Sequence, residues 1–260
     1  MFSNSKTSKA PLVGAFLLFA TSVFFSAVFA DAPQIVKVRH VLDGDTVILE
    51  NGDKVRLLGI NAPEKEFEER SAQPYSLEAL LSLREMTEGK RVNLYYGRQK
   101  TDSYGRTLGY LESLEGIDLQ MMLVSKGYAF VVAFPPDIDR LENYLHAEQR
   151  ARDERLGVWK DSNHVVLDLD LSPNLNSGFG LFKGRVKSVD HSRKNVRLEF
   201  NGGLIATVRH VDWNSFWVGE PEELHNKSVE FRGWIRKSRD KTGARHYLRL
   251  RHPSMIQVIQ

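Results

Sequence analysis

Cysteine is absent from this chain of 260 residues. The absence excludes disulfide bonds, thiolate metal sites and lipoprotein acylation. The chain also lacks a Gly-x-Ser-x-Gly motif, and its eight histidines show no metal-ligand spacing, so serine-hydrolase chemistry and a histidine-based metal site have no support. A protein without cross-links depends on its apolar core for stability, and a chain of this length can form two domains.

The first thirty residues have the composition of a secretory signal peptide. Lys6 and Lys9 precede a segment from Pro11 to Ala30 that contains no charged residue, and Val28 and Ala30 are suitable for cleavage before Asp31. We therefore expect export to the periplasm or the medium, with no stable membrane association after cleavage. The apolar segment is long enough to span a membrane, so an uncleaved signal anchor is the alternative.

Charge is divided unevenly along the rest of the chain. Residues 31–170 contain 18 Lys and Arg against 25 Asp and Glu, a net charge of −7, whereas residues 171–260 contain 16 against 8, a net charge of +8. Because an acidic half repels polynucleotides at long range, the basic half is the candidate for nucleic-acid binding. A merely solvated basic surface is the alternative.

Three short segments contain residues suited to phosphodiester cleavage. They are Asp43-Gly-Asp-Thr-Val47, Val55-Arg-Leu-Leu-Gly-Ile-Asn-Ala-Pro-Glu64 and Thr101-Asp-Ser-Tyr-Gly-Arg106. Together they supply carboxylates for a cation, a further carboxylate to activate water, and two arginines to stabilise negative charge on phosphate. Each segment alone is equally typical of a turn or a charged surface. Their joint occurrence in this order favours the catalytic interpretation.

These segments resemble the staphylococcal nuclease (thermonuclease) family. The resemblance runs from Gln34 to Trp159 and also includes the helical segment around Tyr75-Ser-Leu-Glu-Ala79 and the terminal Leu156-Gly-Val-Trp159. It implies a five-stranded OB barrel and a calcium-dependent hydrolysis of DNA and RNA.

The resemblance also implies a calcium site. Asp45 would be a ligand, Asn61 and the backbone carbonyl of Ala62 would fill two further ligand positions, and Asp43 would lie in the outer coordination shell. Calcium binds six to eight oxygen ligands, so this set leaves places for water and phosphate. The family often has an aspartate at the position of Asn61, whose amide brings no charge, so we expect a lower metal affinity.

The same resemblance assigns the catalytic groups. Glu64 would be the general base, Arg56 and Arg106 would grip the phosphate, and Tyr104 would lie beside it. A glutamate is ionised at neutral pH and can accept a proton from water, and an arginine fork matches two phosphate oxygens. A surface carboxylate is the alternative for Glu64.

Two other positions differ from the best-known member of the family. Ser103 replaces a lysine that faces the substrate phosphate, and Ala133 replaces a tyrosine that stacks on the substrate. Phe134 and Phe130 are the candidates to take over the stacking.

Hydrophobic periodicity predicts three strands, a helix, two strands and two further helices in the first half. They are Gln34–His40, Thr46–Glu50, Lys54–Leu58, Tyr75–Thr87, Val92–Tyr96, Thr107–Leu111, Asp118–Lys126 and Ile138–Leu156, with a turn at Asn51-Gly-Asp53. In the first helix Leu77, Leu80, Leu81 and Leu83 are expected on or near one face, and in the last Ile138, Leu141 and Leu145 are expected to face inward. This order fits an OB barrel.

A polar segment from Asp161 to Gly178 predicts a linker without regular structure. Beyond it, alternating patterns predict a small barrel or sandwich of the strands Leu181–Val189, Asn195–Phe200, Leu204–Val211, Ser228–Arg236, Arg245–Leu250 and Met255–Ile259. Basic and aromatic residues alternate around Trp234 and Tyr247, which suits binding of phosphates and stacking of bases. The alternative is that both aromatic side chains belong to the core.

The sequence therefore predicts a mainly β protein. Its parts are a signal peptide (1–30), an OB-fold nuclease domain (31–160), a linker (161–178) and a basic, all-β, OB-like domain (179–260). We expect a monomeric, exported, calcium-dependent nuclease that acts on DNA and RNA. The alternatives are a catalytically weak module that binds nucleic acid or protein, and an exported adaptor whose basic half docks to acidic polymers.

Overall fold

The computed structural model describes residues 32–66, 71–161, 165–171, 175–237 and 246–259. The predicted signal peptide lies outside these residues. Among the residues described, no helix is both long and apolar enough to cross a membrane.

Five strands of the first half close into a barrel in the order β1-β2-β3-β6-β5. The strands are β1 (Gln34–Asp43), β2 (Thr46–Leu49), β3 (Lys54–Leu57), β5 (Arg91–Thr101) and β6 (Thr107–Glu112). The pairings are antiparallel except for β3 with β6, which run parallel. The predicted OB barrel is confirmed.

The barrel closes around apolar side chains that alternate along the strands. Val38, Val47, Val55, Leu94 and Leu111 are almost completely buried. At the predicted turn Asn51-Gly-Asp53, Gly52 has φ of 93°, which a glycine adopts readily.

Three helices pack around the barrel: α1 (Ser76–Thr87), α2 (Leu119–Ser125) and α3 (Leu141–Asp153). The four leucines predicted on or near one face of α1 do not share one environment, because Leu77 and Leu81 are 59% and 48% exposed whereas Leu83 is fully buried. The buried face also contains small residues, among them Ala79 and Ser82. Small side chains are required there because Ala79 lies against the backbone at Gly44.

The third helix is shorter than predicted. Residues 138–140 do not join the helix, because the preceding Asp137 is held by hydrogen bonds that it accepts from the backbone of Arg98 and Gln99 in β5, and the helix ends at Asp153 rather than at Leu156. Leu141 is buried as expected, whereas Ile138 and Leu145 are only half-buried.

A two-residue ribbon forms a separate small sheet within the first half. Strand β4 (Ile60–Asn61) pairs with β7 (Phe130–Val131), with Asn61 opposite Phe130 and Ile60 opposite Val131. This short pairing fixes the backbone at the position of Asn61.

The second half forms an eight-stranded sheet. Its path runs β10-β11-β12-β14-β13-β9-β8, and β15 pairs with β13. The strands are β8 (Val166–Asp168), β9 (Gly178–Arg185), β10 (Ser188–His191), β11 (Asn195–Glu199), β12 (Leu204–Arg209), β13 (Ser228–Lys237), β14 (His246–Arg249) and β15 (Ile256–Val258). The predicted β character is confirmed. The OB-like topology and the two-domain division stay predictions.

Three details of the second half were predicted incorrectly. The single strand expected over Leu181–Val189 is divided between β9 and β10. The presumed linker contains β8, which pairs in parallel with β9. The strand expected over Leu204–Val211 ends at Arg209, and a helix, α4 (His210–Phe216), follows it. An i,i+3 ion pair between Arg209 and Asp212 supports this helix start.

A buried ion pair joins the second sheet to the barrel half. Arg232 on β13 donates from Nη1 to both carboxylate oxygens of Glu148 on α3, at 2.8 and 2.7 Å, and to the carbonyl of Val131 at 3.0 Å. Glu148 also accepts the backbone N–H of Val131 at 2.7 Å. Beside this pair, Arg152 binds Glu230 at 2.8 Å. The second sheet therefore contacts the strand that pairs with Asn61.

We predict that Arg232→Met lowers the free energy of unfolding by about 3–5 kcal/mol, because it leaves the Glu148 carboxylate buried without its cation. Urea denaturation of residues 31–260 measures the loss. The control is Arg232→Met with Glu148→Gln, in which the neutral amide still accepts from Val131 and most stability should return. An equal loss in both variants would show that the charge pairing is not the cause.

Candidate active site

Asp43 is the last residue of β1, and Asp45 lies in the turn that leads to β2. The backbone N–H of Asp45 donates to Asp43 Oδ1 at 3.0 Å, and the Thr46 hydroxyl donates to Asp45 Oδ1 at 3.0 Å. The backbone of Gly44, between these two aspartates, is in close contact with Ala62 and Ala79. A Cβ atom at position 44 would lie only 2.6 Å from the Cβ atoms of both alanines. Only glycine fits between these neighbours without displacing them.

Arg56 on β3 is buried and directs its guanidinium toward this turn. Its Nη1 donates to the carbonyls of Leu57 and Ile60, the latter at 2.9 Å. Its Nη2 lies 3.1 Å from Asp45 Oδ2 and donates to Asn61 Oδ1 at 3.0 Å. One guanidinium thus connects the β1–β2 turn to strand β4.

Asn61 and Ala62 complete this cluster. The Ala62 N–H donates to Asp45 Oδ2 at 2.8 Å, and Asn61 Nδ2 donates to the Ala62 carbonyl at 3.1 Å. The structure therefore brings the predicted ligands Asp45, Asn61 and Ala62 together in one buried network, with Asp43 at its edge.

This network carries unfavourable negative charge. Burial and the neighbouring Asp45 raise the pKa of Asp43 to about 7, and the positive charge of Arg56 offsets only part of this effect. A carboxylate whose ionisation is opposed in this way is stabilised by a cation placed beside it.

The donor set fits calcium. The predicted ligands are all oxygens, from a carboxylate, a side-chain amide and a backbone carbonyl, as a hard cation requires. Each carbonyl oxygen has two lone pairs, so the hydrogen bonds accepted by Asn61 and Ala62 leave room for coordination. In the described part of the chain no three His, Cys, Asp or Glu side chains form a group, so carbonyl oxygens are essential to this set.

Glu64 follows the network and is exposed. Its backbone is fixed by Gln73, whose Oε1 accepts the Glu64 N–H at 2.8 Å and whose N–H donates to the Glu64 carbonyl at 2.8 Å. These two bonds fix the position of the Glu64 backbone next to the buried network. Nothing in the sequence pattern singled out Gln73.

Arg106 and Tyr104 lie in the turn between β5 and β6. Asp102 orders this turn by accepting the N–H groups of Tyr104 and Arg106, and it pairs with Arg106 Nε at 2.7 Å. Burial acts to raise the pKa of Asp102, but these hydrogen bonds outweigh it and lower the pKa. Tyr104 is 79% exposed, with the Arg106 guanidinium 5.6 Å from its ring centre. The sequence analysis assigned no role to Asp102. An aspartate at the start of an Asp-x-Tyr-Gly turn is a signal for this role, because its carboxylate can accept backbone N–H groups a few residues on.

Of the aromatic candidates, Phe134 contacts the Arg56 guanidinium of the network. The Arg56 guanidinium is 5.9 Å from its ring centre, and Phe134 is half-buried. Phe130 and Ala133 are buried at 7% and 2% exposure, so neither presents a side chain to solvent.

Comparison with known proteins supports the resemblance. The model of the family described as staphylococcal nuclease homologue matches residues 54–161. A thermonuclease of Staphylococcus intermedius is 30% identical over 126 residues, covering 47% of this chain and 74% of that protein. An uncharacterised endonuclease of Escherichia coli O157:H7 is 30% identical over 135 residues, covering 50% of this chain and 79% of its own length.

A third relative is covered less completely. An uncharacterised protein of Bacillus anthracis is 35% identical over 134 residues, which are 50% of this chain and 62% of that protein, less than two thirds. All three similarities cover about half of this chain.

We predict that Gly44→Ala lowers the free energy of unfolding by about 1–3 kcal/mol and displaces Ala62, because the added methyl group overlaps two neighbours. Thermal unfolding and nuclease assays of the variant measure both effects. Gly52→Ala is the control: its Cβ would meet nothing within 4 Å, so only backbone strain results and activity should be retained. Equal activity in the two variants would contradict a role for the close packing at Gly44.

Proposed function

This chain belongs to the staphylococcal nuclease homologue family, and we propose on that basis that it is a calcium-dependent nuclease that hydrolyses DNA and RNA. The observation that carries the proposal is the buried network of Asp45, Arg56, Asn61 and Ala62, with Glu64 directly after it. A protein that only bound nucleic acid would not need this buried network with a carboxylate beside it.

In this proposal Glu64 is the general base. It is exposed to water and fixed by its backbone, so its carboxylate can accept a proton from a water molecule that attacks phosphorus. The bond between phosphorus and the leaving oxygen then breaks, and the leaving oxygen takes up a proton from solvent water.

The two arginines have different tasks. Arg106 is half-buried and its turn is ordered by Asp102, so its guanidinium is preorganised to contact a phosphate beside Tyr104. Arg56 is only 6% exposed and holds Asp45 and Asn61 in place. It therefore stabilises phosphate charge from the interior and also positions the ligand oxygens.

Calcium, when bound, would neutralise phosphate charge and polarise the phosphorus–oxygen bond. Asp45, Asn61 and the Ala62 carbonyl would hold it, with Asp43 in the outer shell. We further propose export, on the strength of the composition of residues 1–30. Mass spectrometry of the mature protein from the producing cell tests this, since a terminus at Asp31 is expected.

The test of catalysis is Glu64→Gln, which we expect to slow hydrolysis by at least ~100-fold, because an amide cannot accept the proton. Turnover of single-stranded DNA at saturating calcium is the measurement. Glu66→Gln, an exposed glutamate two residues away, is the matched control and should be active.

Comparable turnover in Glu64→Gln and the unmodified protein would remove Glu64 from the mechanism. Binding of DNA without hydrolysis in the unmodified protein would favour the catalytically weak module instead.

A second test concerns the ligand set. Asn61→Asp should tighten calcium binding, because it adds a negative charge to a site whose affinity depends on the charge of its ligands. Calorimetry measures the change. Asn143→Asp, exposed on α3, adds the same charge elsewhere and should not alter the affinity. Unchanged or weaker binding in Asn61→Asp would exclude Asn61 as a ligand.

A further inference from the structure

Alternate residues of β13 share one face of the second sheet. Glu230 and Arg232 on this face bind Arg152 and Glu148 of α3, so this end of the strand is covered by the barrel half. Trp234 follows and is half-buried, and Arg236 is exposed. The same face therefore runs from the interface with the barrel half into solvent.

Aromatic contacts connect this face to the candidate active site. The ring of Trp234 lies 5.8 Å from Phe134 and 5.0 Å from Phe179 on β9. Phe134 in turn lies beside the Arg56 guanidinium, at 5.9 Å. Trp234 is thus separated from the catalytic network by a single aromatic side chain.

Arginines continue the face beyond Trp234. In the strand register Arg236 is opposite Tyr247 of β14, and Arg249, two residues further along β14, shares the face with Tyr247. Arg209 at the end of β12 lies next to Arg249 because both bind Asp212.

Positive charge exceeds negative charge in this cluster. Asp212 is 7% exposed and binds Arg209 at 2.5 and 2.8 Å and Arg249 at 3.2 Å. The side chains of Arg209 and Arg249 remain 50% and 40% exposed. Asp212 therefore orients two guanidinium groups while leaving them accessible.

The charges of this cluster also act on Arg251. Partial burial and the charges of Arg249, Arg209 and Arg236 lower its pKa, although Asp212 acts in the opposite direction. Two guanidinium groups therefore flank one carboxylate, with Arg236 and Arg251 in the same electrostatic environment, so positive charge is in excess, which favours binding of a polyanion.

We propose that Trp234, Arg236, Tyr247, Arg249 and Arg209, here called the outer strip, bind a single-stranded polynucleotide that extends from the catalytic site. Trp234 stacks on a base next to the cleaved phosphate, and the arginines contact phosphates further along the strand. The inference rests on the proposed nuclease function, because the strip begins at that site.

The aromatic side chains favour a single strand over a duplex. A base can stack on Trp234 or Tyr247 only when it is free of its own stack, as in single-stranded nucleic acid. Contacts with a duplex would use the arginines alone and would not depend on the indole ring.

The experiment measures binding without hydrolysis. Fluorescence anisotropy with a labelled 20-nucleotide single strand, in the presence of a chelator, gives Kd as a function of salt for residues 31–260. Arg236→Gln combined with Arg249→Gln should reduce the slope of log K against log salt by about 1.4, since each phosphate contact on a single strand contributes ~0.7. Circular dichroism and thermal unfolding verify that the variants fold.

The matched control is Arg185→Gln. Arg185 is an exposed arginine at the opposite end of β9, where it pairs with Ser228 rather than with Trp234. It lies outside the outer strip, so its loss should leave the affinity and the salt slope unchanged.

Trp234 is tested separately. Trp234→Leu should weaken single-strand binding by about 5- to 150-fold, the range of one base-stacking contact, and Trp234→Phe should restore most of it. Binding of a 20-base-pair duplex should respond much less to Trp234→Leu.

Three results would overturn the proposal. They are an unchanged slope in the double arginine variant, an equal loss in Arg185→Gln, or an equal effect of Trp234→Leu on duplex and single strand, which would indicate a duplex surface. Failure of the nuclease proposal is distinguishable, because a chain that binds through the strip but does not hydrolyse DNA in calcium contradicts only the catalytic assignment.

Discussion

The contact between Arg232 and Glu148 is the interaction on which the two halves of this protein depend. Both side chains are almost completely buried, and their charges pair with each other at 2.7 Å. Because Arg232 also binds the Val131 carbonyl, the ion pair restrains β7, and β7 pairs with the strand that carries Asn61. The second sheet therefore also supports the barrel half. It helps to fix the backbone of the candidate metal site, so removing it would alter both the site and the stability of the barrel half.

Arg56 has a similar connecting role within the barrel half. Its guanidinium joins the β1–β2 turn to β4, while Gly44 permits Ala62 and Ala79 to approach the same turn. The site thus depends on three elements that are distant in sequence and held together by a single cation. Among the predicted site residues, which all lie in the described part of the chain, Glu64 and Tyr104 are exposed and Arg106 is half-buried, so these are the side chains accessible to a substrate.

The sequence was a good guide wherever a pattern has a local physical cause. Strand alternation and the turn at Gly52 predicted the five barrel strands, and the resemblance to a known family implied that Asp45, Asn61 and Ala62 would be neighbours. It failed where tertiary contacts decide the outcome. Ala79 rather than Leu77 faces the barrel because the space beside Gly44 is small. The inward orientation of Arg56 and the support of Glu64 by Gln73 depend on backbone groups that no side-chain pattern reveals.

The alternation along β13 has a consequence for how this chain can vary. Phe231 faces the apolar core of the second sheet, while Arg232 faces Glu148. A shift of register by one residue would place the guanidinium in the core and a phenyl ring against the carboxylate, so both faces would fail together. An insertion or deletion within this strand is therefore far more damaging than a substitution. Length changes during the divergence of such proteins should accumulate in the connections on either side of it.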